Sequence, residues 1–90
     1  MAALEWKPDD KLVVQLAQDF VDARKGADRA ALRRYRRAAD AARIAAFSAE
    51  QRAIAAPTHE NVTNAFARQL VVAALNLADD PALMAKLAAA

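Results

Sequence analysis

The chain has 90 residues, 27 of them alanine, against one glycine, three prolines and no cysteine. That length makes a single domain, 1–90, burying only about 60–65% of its unfolded surface. The lack of cysteine excludes a disulfide framework, thiol catalysis and Cys-ligated zinc, and no apolar run approaches the ~20 residues that span a bilayer. The net charge is only +2, but seven basic residues lie between Arg24 and Arg37 against one acid, Asp28.

In chain order, Pro8 followed by Asp9 and Asp10 predicts a first helical turn with acids at the positive end of the helix dipole. Leu12, Leu16, Phe20 and Ala23 recur at three and four, and Gly26 after Arg24 and Lys25 is a stop signal, so a helix is predicted over about 8–25. Asp28 caps the next, about 29–47. One broad face carries Ala31, Leu32, Tyr35, Ala38, Ala39, Ala42 and Ala46, with Arg33, Arg34, Arg36 and Arg37 opposite. Ile44 and Phe47 fall toward the arginine side, which predicts that the following segment wraps them.

Ser48-Ala49-Glu50-Gln51 has capping-box spacing and predicts a short helix over about 49–55, ended by Pro57. Thr58 caps a long helix over about 59–78, unless Pro57 itself takes its first position, and Asp80-Pro81 opens a last one to about 89. No strand pattern occurs. The expected fold is all-α, a compact bundle of three long and two short helices joined by short connections. The alanine-rich face at 29–47 fits either a tight helix–helix seam or the wall of a ligand cavity. The N-terminus MAALEWKPDDK has no charged segment followed by an apolar core, so no signal peptide is expected, and the expectation is a soluble, cytoplasmic monomer.

His59, the only histidine, heads the apolar stripe of the 59–78 helix. Val62, Thr63, Phe66, Leu70, Ala73 and Leu77 all fall within about 60° of it on the helical wheel. One reading is a half-exposed histidine at the end of the bundle, bonded to water or a loop carbonyl. The reading that assigns a function makes His59 the axial ligand of haem or another metal-porphyrin. Burial and the helix dipole would leave a ring lone pair free for the metal, Val62, Thr63, Phe66 and Leu70 would flank the flat cofactor, and rim arginines would meet propionates. Such a site supports artificial haem chemistry such as carbene or oxygen transfer. A nucleophile or general-base role lacks a serine and an evident orienting carboxylate. One histidine without cysteine also leaves too few ligands for zinc.

The run Leu32-Arg33-Arg34-Tyr35-Arg36-Arg37 suggests phosphate contacts, with nucleic acid or an acidic partner as the ligand. Tyr35 points away from Arg33 and Arg37 toward the core, however, so it does not extend that face. Asp22, Asp28 and Asp40 are placed to pair with nearby arginines. The order short helix, turn, long helix also resembles a helix-turn-helix, in which His59, Asn61, Thr63 and Asn64 would read base edges.

Over ten residues, KGADRAALRR is similar to a segment of the small helical subunit of type I CRISPR surveillance complexes. The chain is much shorter than that family, and no function is carried across. As a whole the sequence resembles a computationally designed helical bundle. The resemblance lies in DDPALMAKLAAA, the repeated cap-and-proline helix starts, 30% alanine, no cysteine and one glycine. Against that regular background Asn61, Thr63 and Asn64 depart from helix propensity beside His59, where a functional site is expected. The leading expectation is a binding scaffold for haem at His59. The alternatives are an interaction module using the arginine-rich face and a structural scaffold without ligand.

Overall fold

The computed structural model describes residues 9–89. The assignment of Pro8 to a first helical turn therefore lies outside the described residues. Four helices follow in order: α1 (Asp10–Arg24), α2 (Arg29–Ala55), α3 (His59–Ala78) and α4 (Pro81–Ala88).

Each helix starts where a short polar side chain takes the free backbone N–H groups of the first turn. Asp9, expected inside α1, is instead its cap and accepts from Lys11 N at 3.0 Å and Leu12 N at 3.3 Å. Asp28 accepts from Ala31 N at 2.7 Å, Thr58 Oγ1 from Asn61 N at 3.1 Å, and Asp80 from Leu83 N at 3.1 Å. Gly26 ends the α1 turn at φ +71°, a left-handed backbone that a side chain would strain.

The predicted break at Ser48 does not occur. α2 runs unbroken for 27 residues, so there is one long helix where a long and a short one were expected, and four helices in place of five. The capping-box pattern contains no glycine or proline to interrupt the backbone bonds, and Ser48 is only a mildly poor helix former. Continuity also keeps Ala49 and Ala53 on the same face as Ala46, against α3. Among the described residues no segment wraps the end of this helix, and Ile44 and Phe47 are 69% and 64% exposed.

α3 is the central element. Leu70, Ala73, Ala74, Leu77 and Ala78 pack against Val13, Ala17 and Phe20 of α1, with Met84 and Leu87 of α4 over the same cluster. On another side of α3, Val62 and Ala65 meet Ala49 and Ala53 of α2. Further along this antiparallel pair Arg43 reaches Asn76. α2 alone is about 40 Å long at 1.5 Å per residue, which accounts for the long axis of a flat 43 × 34 × 18 Å body.

The tight seam between α2 and α3 lies at Ala49, Ala53 and Ala65, outside the predicted 29–47 face, with Ala53 and Ala65 0% exposed, while Ala39, Ala42 and Ala46 of that face border open cavities. On the predicted α2 face Ala39 and Ala46 are buried and Tyr35 half-buried, but Ala38 and Leu32 are exposed. No large side chain among the described residues is completely buried, so the core is thin and mostly alanine. Ala65→Leu should therefore lower unfolding free energy by about 1–3 kcal/mol, since an added isobutyl group forces the helices apart. Ala67→Leu, on the exposed side of α3, should change it by less than about 0.5 kcal/mol. Urea denaturation of the two variants measures both.

Candidate functional site

The residues expected around haem are not gathered at one place. His59 and Thr63 are exposed, Val62 belongs to the seam with α2, and Leu70 belongs to the cluster with α1. Phe66 is half-buried between them in sequence and in neither cluster. Among the described residues, five cavities stand out, and none of them is lined by any of these five residues. The burial invoked for the His59 imidazole is absent, because α3 extends beyond the part of α1 that covers its C-terminal half. Among the described residues no group of three His, Cys, Asp or Glu side chains is placed to hold a metal ion. No described helix is long and apolar enough to cross a membrane.

The asparagines of α3, poor helix formers, have structural partners. Asn61 Nδ2 donates to Ala56 O at 2.9 Å, tying α3 to the end of α2. Asn64 accepts from Arg68 Nε at 3.2 Å, and Asn76 accepts from Arg43 Nη2 at 3.2 Å. The helix-turn-helix likeness fails with the short helix on which it depended, since α2 continues through 49–55 and lies antiparallel along α3.

The basic segment is the stronger candidate. The acids expected to neutralise it are engaged elsewhere. Asp28 is the α2 cap. Asp22 takes the Gln18 amide at 3.0 Å and Lys25 Nζ at 3.2 Å, and these two, the amide first, hold its carboxyl below the ordinary range, so it stays ionised on its own helix. Asp40 faces Arg43 at 3.5 Å. Among the described residues, Arg29, Arg33, Arg34, Arg36 and Arg37 have no acid within ion-pair distance.

Arg29, Arg33 and Arg37 form an i, i+4 row with steps of about 6 Å along the helix. Like charges so placed repel by about 0.2–0.5 kcal/mol per pair. Ile44 lies seven residues beyond Arg37 on the same side, and Phe47 flanks it. Phe47 also borders a groove of about 330 Å³ between α2 and α3, with Ala46, Val72 and Ala73 as its apolar wall and Arg43, Glu50, Gln69 and Asn76 at its rim.

A second cluster, which the sequence reading missed, joins the C-terminal ends of α1 and α3 to α2. Asp79 Oδ1 accepts from Arg24 Nη1 at 2.9 Å, and Asp79 Oδ2 lies 3.6 Å from Arg43 Nη2. Arg24 Nη2 also donates to Ala78 O at 2.9 Å, and its guanidinium sits over the Tyr35 ring, 5.1 Å from the centroid. Phe20 meets that ring edge-on at 6.3 Å. A partial signal was present: of the doublet Asp79-Asp80 only the Asp80 side chain has a local role, as an N-cap.

No protein-family model, curated protein or solved structure matches the chain.

No natural family therefore lends this chain a function, and the geometry must carry the reading alone. Arg24 and Asp79 clamp the C-terminal ends of α1 and α3 together. Arg24 makes a charge-assisted hydrogen bond, a bond to a helix-end carbonyl and a ring contact while only 27% of its side chain is exposed. Asp79 is half-exposed, so solvent screening weakens the ion pair. Arg24→Ala should cost about 1–2 kcal/mol in thermal or urea unfolding, and Arg33→Ala less than about 0.5 kcal/mol.

Proposed function

We propose that this chain is an interaction module whose α2 helix docks an acidic, partly apolar protein segment. One observation carries this reading: the row Arg29, Arg33 and Arg37, without acids of its own, is continued by exposed Ile44 and Phe47 on the same face. The arginines would meet carboxylates of the partner. An apolar side chain of the partner would cover Phe47 and enter the groove beside Ala46 and Val72. A second copy of this chain fits poorly there, since it would set one unneutralised arginine row against another.

The test is fluorescence anisotropy with a labelled amphipathic helical peptide bearing glutamates on one side and leucines on the other, across a salt series. Binding should weaken as salt rises, and Phe47→Ser should weaken it about tenfold or more. The double variant Arg33→Glu, Arg37→Glu should abolish steering by charge and lower the association rate. Binding of an oligonucleotide unaffected by Phe47→Ser, with none of the peptide, would instead make the arginine row a nucleic-acid contact.

Haem ligation by His59 is the second proposal, and what supports it is an imidazole open to an incoming metal at the head of a helix that carries half-buried Val62 and Phe66 behind it. Haemin titration decides it. The expected result is a Soret shift in the wild-type chain that is lost in His59→Ala; no shift, or one that survives the substitution, ends this reading.

A further inference from the structure

We infer that the junction of α1, α2 and α3 is a binding pocket for a phosphate-sized oxyanion. Its cavity of about 190 Å³ is lined by Arg24, Arg36, Arg43, Tyr35 and Asp79, with Leu32 and Ala39 as its apolar wall. That is the liquid volume of about six waters, enough for a phosphate group and too small for a large ligand. The pocket stands apart from the docking face of α2, because Arg29, Arg33, Arg37, Ile44 and Phe47 do not line it.

Three features favour an anion over water. First, three guanidiniums line the cavity against one carboxylate. Asp40 takes part of the charge of Arg43 from outside, at 3.5 Å. Second, the resident carboxylate leaves these cations incompletely satisfied. Asp79 bonds Arg24 closely, approaches Arg43 only to 3.6 Å, and has no ion pair with Arg36. Arg24 and Arg43 thus already converge on an oxygen-bearing group, and Arg36 adds a third fork of N–H donors with no partner among the described residues. Third, Tyr35 forms part of the wall. Its ring is held by Phe20 at its edge and Arg24 over its face, so the surrounding donors are set before any ligand arrives.

A doubly charged phosphate or phosphate monoester suits this set best. The lining alone carries two positive charges in excess, and tetrahedral oxygens can meet three guanidiniums from α1 and α2 at once. Asp79 would then be a competing anion, and its removal should strengthen binding.

Titration with inorganic phosphate, followed through the arginine Nε–H signals by NMR at constant ionic strength set with chloride, tests the pocket. Saturable shifts are expected at Arg24, Arg36 and Arg43, with weaker or no shifts at Arg33 and Arg37. Arg36→Gln should weaken binding about fivefold or more, a loss of one charge-assisted contact. Asp79→Asn should tighten it, an outcome that a purely structural clamp would not give. Phenyl phosphate in a parallel titration separates the two sources. Binding of both probes indicates a monoester site, and binding of inorganic phosphate alone indicates a site for the free ion. Shifts no larger than those caused by chloride, or an affinity unchanged in Arg36→Gln, would overturn the inference. So would weaker binding in folded Asp79→Asn.

Discussion

The α2–α3 seam is the constraint from which the rest of the molecule follows. Ala49, Ala53 and Ala65 let two helix backbones approach closely, and that approach leaves no room for large side chains between them. A helix carries one face to its neighbour, so fixing α2 along α3 by its alanine face also fixes what the opposite face shows. With α1 and α4 gathered on another side of α3, nothing in the described chain reaches the far side of α2. The arginine row and Ile44 are exposed as a geometric consequence of the seam, and exposed Phe47 lies at its flank, beside the groove between α2 and α3.

The same constraint explains how the charge is arranged. Three acids in this sequence, Asp9, Asp28 and Asp80, stand at helix starts as caps and satisfy backbone N–H groups. Asp22 and Asp40 pair with basic residues three positions along their own helices. An acid used as a cap faces the start of its own helix and is unavailable to a row of cations one or two turns further on. α2 therefore begins with a cap and then runs through five arginines without an acid until Asp40. Its uncompensated charge follows from where the carboxylates are spent, while the chain as a whole is only +2.

Local chemistry in the sequence was a good guide to local structure. The caps at Asp28, Thr58 and Asp80 and the stop at Gly26 needed only the side chain and its near neighbours, and all four stand where they were read. Ser48-Ala49-Glu50-Gln51 misled because a capping pattern is permissive: it can begin a helix but cannot break one whose backbone bonds and buried face both continue through it. Ile44 and Phe47 were seen to fall on the wrong side of their helix, yet the inference that something covers them required a tertiary partner that periodicity cannot supply. His59 illustrates the same limit. A helical wheel gives direction around an axis, whereas burial also depends on how far the neighbouring helix extends along that axis. Arg24 and Asp79, 55 residues apart, meet only because α1 and α3 end at the same place.

That meeting point joins the thin core to its chemistry. With no large side chain completely buried, hydrophobic burial holds α1, α2 and α3 together less firmly than in a core filled by leucine and phenylalanine. Polar contacts then fix how the helices sit relative to one another. Arg24 reaches the end of α3 and the ring of Tyr35 on α2, and Arg43 of α2 reaches both Asn76 and Asp79. Because guanidiniums serve as these ties, the place where three helices meet is also where positive charge accumulates, and one aspartate is too little to satisfy it. A tie of this composition is sensitive to anions by construction. On the proposed reading, a group that competes with Asp79 for Arg24 and Arg43 would act at the point where the ends of α1 and α3 are tied to α2.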